Sequence, residues 1–122
     1  MKPPRPLRPG IIVWAVYPGG RGDGKVRPMI VATGRRDLLR NRRFTAVVCS
    51  TDFDHPVRGD EVLLPFKLDG RCETELRQPT VAVCNWRANL SVAEVADVGG
   101  FVKGEILREV FAKAGIILPP ER

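Results

Sequence analysis

The sequence predicts a mainly β fold closed by one C-terminal helix, with five or six short strands curved into a small sheet or partial barrel. Three observations carry that expectation. Apolar, β-branched runs recur along the chain, as in Ile11-Ile12-Val13-Trp14-Ala15-Val16 and Ala46-Val47-Val48-Cys49. Glycine, proline and aspartate clusters punctuate them. Near the end the apolar spacing changes from alternation to a helical stripe.

Gly10 to Tyr17 is a first strand, followed by Pro18-Gly19-Gly20-Arg21-Gly22-Asp23-Gly24-Lys25, a glycine-rich loop. That loop lacks a Gly-Lys-Ser/Thr ending and a helix pattern behind it, which excludes a nucleotide P-loop. Arg27 to Thr33 forms a second strand, with Pro28 at an opening position where a missing N–H does no harm. An Arg-rich connection from Gly34 to Arg42 holds one helical turn at Asp37–Arg40, and a third strand spans Arg43 to Thr51. After the loop 52–59 come a fourth strand, Asp60 to Phe66, a turn at 67–70, an irregular stretch at 71–78 and a fifth strand, Pro79 to Trp86. Val92 to Val98 reads as a short sixth strand, broken by Gly99-Gly100. Ile106, Leu107, Val110, Phe111 and Ala114 then lie on one helical stripe, Glu109 and Lys113 pair across one turn, and Gly115 supplies the stop. The expected organisation is a Pro/Arg-rich arm at 1–9, one domain at 10–118 and a tail at 119–122.

The 122 residues carry a net charge of +6, and it is uneven. Residues 1–43 hold 11 Lys/Arg against Asp23 and Asp37, whereas residues 44–122 hold 9 Lys/Arg against 12 acids. A basic block of this kind suits a polyanion or an acidic partner. The three cysteines form no Cys-x-x-Cys spacing and no export signal is visible, so reduced thiols and a cytoplasmic location are expected. No apolar run approaches the ~20 residues of a membrane span.

Two strand ends carry the chemistry. Arg27 opens the second strand, and Ser50-Thr51 close the third, so a guanidinium and a hydroxyl meet at one rim of the sheet. Arginine binds two phosphate oxygens at once and stays charged, and a hydroxyl donates to a third. Strand alternation puts Ser50 and Thr51 on opposite faces, and position favours Ser50. The alternative for Arg27 is an ordinary ion pair with Asp23 or Asp60. His55 is the only imidazole, on a loop between Asp54 and Pro56. Asp52, Asp54 and His55 hint at a metal site, but no second cluster completes it. Arg21, Lys25, Arg35, Arg36, Arg42 and Arg43 are candidates for phosphate contacts, and Trp86-Arg87 for base stacking.

In this order and spacing, Gly10-Ile11-Ile12-Val13-Trp14, Arg27-Pro28, Cys49-Ser50-Thr51, Leu76-x-x-Pro79-Thr80-x-x-Val83 and Val98-Gly99-Gly100-Phe101-Val102 resemble the MazF/PemK family of bacterial toxin–antitoxin toxins, over roughly residues 9–115. The resemblance implies an SH3-like small barrel of the MazF/PemK/CcdB type, usually a homodimer. It implies a metal-independent, sequence-selective endoribonuclease that cuts single-stranded RNA through 2′-OH attack and is held by an acidic antitoxin, with no cofactor. The catalytic residues would be Arg27, Ser50 and Thr51, and the RNA contacts Arg21, Lys25, His55, Asn85 and Arg87. Two departures stand out: Ser50 occupies the position of the usual threonine, and Cys84-Asn85 that of a common Asp-Gln pair. A gyrase-directed toxin of the same fold and a non-catalytic binding module are the other readings.

Overall fold

The computed structural model describes residues 7–18, 24–40, 42–51 and 56–118. Its elements run β1 (Ile11–Val16), β2 (Val26–Val31), α1 (Arg35–Arg40), β3 (Arg43–Ser50), β4 (Glu61–Leu63), β5 (Val81–Ser91), β6 (Asp97–Phe101) and α2 (Gly104–Ala114). The strands form one antiparallel sheet in the order β4-β5-β3-β2-β1-β6. The sheet is curled, and both of its faces are buried. One face packs Ile12, Ile30, Val47, Cys49 and Cys84 against Val110 and Ala114 of α2. The other packs Val13, Met29, Val31, Val48 and Leu90 against Leu7, Leu38, Trp86 and Phe101.

Two irregularities give the sheet its curl. Between the Val47–Arg87 and Cys49–Ala82 pairs, residues 83–86 of β5 lie opposite Val48 alone, so β5 bends sharply there. Between Ile11–Phe101 and Val13–Val98, Gly99 and Gly100 lie opposite Ile12. Gly100 is required by its neighbour: a Cβ would overlap the Glu73 carbonyl oxygen and stand 2.6 Å from the Thr74 carbonyl carbon. The segment at 73–74 crosses β6 at that point, and the Phe101 N–H donates to Glu73 O at 2.8 Å. Thr74 Oγ1 anchors the crossing by donating to Pro65 O at 2.6 Å and accepting from Leu76 N at 3.2 Å.

The helix and the first three strands follow the sequence pattern. α2 buries Val110 and Ala114 and ends at Gly115, whose φ of 69° is the left-handed cap that glycine favours. Three expectations need correction. The fourth strand is only Glu61–Leu63, because Pro65 has no N–H to offer a longer ladder. The fifth continues through Ser91, with Ala88 and Leu90 turned inward and Arg87 and Asn89 outward. The sixth is Asp97–Phe101, so Gly99-Gly100 lie inside it as a bulge instead of breaking it, and Val92–Glu94 form a single 3₁₀ turn.

Candidate nucleic-acid interface

β2 begins where β3 ends, and the rim they share holds a cavity of about 140 Å3. Its lining includes Trp14, Lys25, Arg27, Pro28, Cys49, Thr51 and Gln78. Trp14 faces Pro28 across the β1–β2 pair, which sets its indole against the opening of β2. A second cavity of about 370 Å3 shares Trp14, Thr51 and Gln78 with the first and extends past Glu75, Arg77, Thr80 and Asp97 to Gly99. Together they form a groove along one end of the sheet. The crossing segment that Gly100 admits continues into residues 75–78 and supplies its far wall.

Arg27 is half-buried, and its Cζ stands 5.4 Å from the centroid of the Trp86 ring. That distance is within the range of a cation–π contact, which holds a guanidinium without neutralising it. Tyr17 packs on Trp86 in turn, with ring centroids 5.2 Å apart at 53°, and its hydroxyl donates to Arg87 O at 3.4 Å. The bend at 83–86 is what brings Trp86 under Arg27, a placement with no signal in the local sequence.

The two hydroxyls separate as strand alternation requires. Thr51 lines both cavities, on the face of Trp14 and Cys49. Ser50 lines neither; it pairs with Val81 of β5, and the Met29–Val48 register continued by two residues sets it beside Arg27. Lys25 lines the first cavity. Asn85 is exposed in the β5 bend and lines neither chamber. Arg87 turns toward α2, where its Nη2 donates to Ala114 O and satisfies a last-turn carbonyl. Arg21, His55 and both aspartates beside His55 lie outside the described residues. Among the described residues no group of three or more His, Cys, Asp or Glu side chains is placed to hold a metal ion.

The thiols differ in environment. Burial pushes Cys49 up, reinforced by the nearby Cys84, and burial also raises Cys84. At Cys72 slight burial acts upward, but hydrogen bonding with Thr74 and with the backbone at 74–76 outweighs it and the thiol is lowered. Cys72 Sγ lies 3.3 Å from Thr74 Oγ1.

No family model matches the sequence, and no curated protein matches it. Solved structures do. MazF of Deinococcus radiodurans superposes with a TM-score of 0.67 at 17% identity, covering 92% of this chain and 96% of that one. The chain has the MazF fold. The toxin MazF-mt6 of Mycobacterium tuberculosis superposes with a TM-score of 0.60 at 19% identity over 84% of this chain and 92% of its own. An endoribonuclease in complex with its cognate antitoxin, from a mycobacterial species, gives 0.65 at 16% over 91% and 92%. The expected mainly β architecture with a C-terminal helix is therefore the MazF architecture, with the groove at the rim between β2 and β3. No helix among the described residues is long and apolar enough to cross a membrane.

Proposed function

We propose that the chain is an endoribonuclease toxin of a toxin–antitoxin pair, acting on single-stranded RNA, with Arg27 and Ser50 as the principal groups at the scissile phosphate and Thr51 as the secondary one. The observation that carries this reading is the rim of β2 and β3 on a MazF fold, where Arg27 stands over Trp86 with Ser50 beside it and a cavity lined by Lys25, Arg27 and Thr51 opens at the same strand ends. RNA supplies its own nucleophile, so the protein's task is to orient it and to stabilise charge. The 2′-oxygen forms a bond to phosphorus, the bond from phosphorus to the 5′-oxygen breaks, the 2′-hydroxyl loses its proton and the leaving oxygen gains one. The products are a 2′,3′-cyclic phosphate and a 5′-hydroxyl. This chemistry asks for no metal. Arg27, held over Trp86, meets the added negative charge with two donors, and Lys25 holds a neighbouring phosphate. Ser50 ranks ahead of Thr51 because the strand register sets it beside Arg27, whereas Thr51 lies on the opposite face with Trp14 and Cys49. The cytoplasmic toxin would act as a homodimer, and an acidic antitoxin segment matches the basic first third of the chain.

The test is incubation of the purified protein with a long RNA in EDTA, followed by analysis of the product ends. Wild-type protein is expected to leave cyclic phosphate ends, Arg27→Ala to cut about 10²–10³-fold more slowly, and Ser50→Ala to lose more activity than Thr51→Val. An intact RNA with wild-type protein at every dose, or equal cutting by wild type and Arg27→Ala, overturns the reading.

A further inference from the structure

Arg27 reaches the rim between short neighbours. Across β1 it pairs with Ala15, and the β2–β3 register continued by two residues sets Ser50 on its other side. The broad surface beside the guanidinium comes from β5 instead, where Cζ stands 5.4 Å from the centroid of the Trp86 ring. Trp86 is itself half-buried and braced. Its ring meets that of Tyr17 at 5.2 Å between centroids and 53° between planes. Tyr17, just beyond β1, donates its hydroxyl to Arg87 O at 3.4 Å, one residue past the indole. Arg87 in turn is tied by its side chain to Ala114 O in the last turn of α2. The strand that carries the indole is therefore held from β1 and from α2, and the indole's ring contacts among the described residues are with protein groups. That arrangement suits a support for Arg27 better than an open stacking platform for a base.

We propose that Trp86 is the positioning residue of Arg27: its indole holds the guanidinium in the attitude in which it meets the scissile phosphate, so that Trp86 acts on the rate through Arg27 and not through contact with RNA. The inference rests on the RNA reading above and adds the group that sets its geometry. A long arginine side chain left in water spreads over many rotamers, and ordering it at the moment of reaction raises the barrier. A carboxylate would order it while neutralising its charge and competing with the phosphate for its donors. An aromatic face orders it through the ring quadrupole and leaves the positive charge whole, and indole does so best among the aromatic side chains. Stabilisation by a preorganised donor depends on where that donor stands when the extra negative charge develops, so a displacement of about 1 Å is felt in the rate. Ground-state binding of the strand is spread over several phosphate contacts and is far less sensitive to one of them.

The experiment follows single-turnover cleavage of a long RNA in EDTA at rising concentrations of the full chain, which separates the maximal rate from the half-saturating concentration. Trp86→Leu keeps an apolar side chain and removes the ring. Its maximal rate is expected to fall about ten- to a hundredfold, with the half-saturating concentration within about twofold of wild type. Trp86→Phe restores an aromatic face and is expected to return the rate to within about threefold. In an Arg27→Ala background either change is expected to cause no further loss, because the guanidinium it acts through is gone. A second readout needs no RNA. The Arg27 Nε–Hε resonance, assigned by its loss in Arg27→Ala, is expected upfield of the exposed arginines in wild type and Trp86→Phe, and among them in Trp86→Leu. If the leucine variant does not fold, the phenylalanine variant carries the same two tests. A Trp86 variant that cuts as fast as wild type while the resonance moves, that loses as much activity without Arg27 as with it, or that raises the half-saturating concentration instead of lowering the rate, overturns the positioning role and leaves the RNA reading intact. A wild-type resonance that is not shifted overturns the contact itself. Absence of cleavage by wild-type protein at every dose overturns the RNA reading and the positioning role with it.

Discussion

Adding one methyl group at Gly100 tests the architecture of the groove directly. The Cβ of Gly100→Ala would overlap the Glu73 carbonyl oxygen and lie 2.6 and 2.8 Å from the Thr74 carbonyl carbon and oxygen, all of them backbone atoms that cannot rotate away. Restoring ordinary contact requires the crossing segment to retreat by about 1 Å, enough to break the 2.8 Å bond from Phe101 N to Glu73 O. That bond contributes about 1 kcal/mol. Thr74 is 2% exposed, and moving it strains the hydroxyl bonds to Pro65 and Leu76, at about 1–3 kcal/mol if either is left unmade. The smaller unfolded-state entropy of alanine returns roughly 0.4–1 kcal/mol. The net loss is about 1–3.5 kcal/mol, a fall in melting temperature of roughly 4–14 °C for a chain of this size. Thermal unfolding followed by far-UV circular dichroism measures it, with Gly59→Ala as the comparison, since nothing lies within 4 Å of a Cβ there. A Gly100→Ala protein that melts within about 3 °C of wild type would refute the close crossing and, with it, the placement of residues 75–78 as a groove wall.

Arg87→Met keeps the aliphatic stem and removes the donor to Ala114 O; it is expected to cost about 1–2 kcal/mol and to fray the last turn of α2, read by amide exchange at residues 112–116. Equal protection in the two proteins would show that Arg87 does not cap the helix. Iodoacetamide is expected to label Cys72 alone in the native protein, because Cys49 and Cys84 are buried, and all three cysteines after unfolding. The lowered Cys72 thiol ionises as pH rises through a value below that of a free cysteine, so its labelling rate should climb earlier on the pH axis than that of the unfolded chain. Native labelling at Cys49, or a Cys72 profile lying above the unfolded one, would contradict this.

Much of the fold could be read from local pattern, because the residues that decide β1, β2, β3 and α2 lie within those elements. The stripe from Ile106 to Ala114 and the stop at Gly115 are of this kind. Where the reading failed, the deciding partner was distant in sequence. Gly99-Gly100 has the composition of a breaker, yet it continues a strand because Glu73 and Thr74 pass across it. The expected fifth strand ends at Trp86 because the bend at 83–86 interrupts the alternation that resumes at Arg87-Ala88-Asn89-Leu90. At the rim, alternation separated the two hydroxyls but could not assign their faces; in the structure the register sets Ser50 beside Arg27, and Thr51 lies opposite, with Trp14 and Cys49. The contact of Arg27 with Trp86 and the second cavity, which brings Trp14 together with residues 75–80, had no local signature, since each joins residues more than forty positions apart.

The pairing of β1 with β6 joins Val13 to Val98 and Trp14 to Asp97, nearly the whole length of the domain apart. The pairs β1–β2 and β2–β3 close over far shorter stretches of chain, and loop-closure entropy favours forming them first. The seam between β1 and β6 is thus the last join in assembly, and it carries one wall of the groove. A nascent chain with β1 to β5 in place would have most of its sheet and no second cavity, so the groove is completed only as the final strand docks. Pulsed hydrogen exchange during refolding should protect the amides at the Val13–Val98 seam after those of β2 and β3; simultaneous protection would mean that the sheet closes in one step.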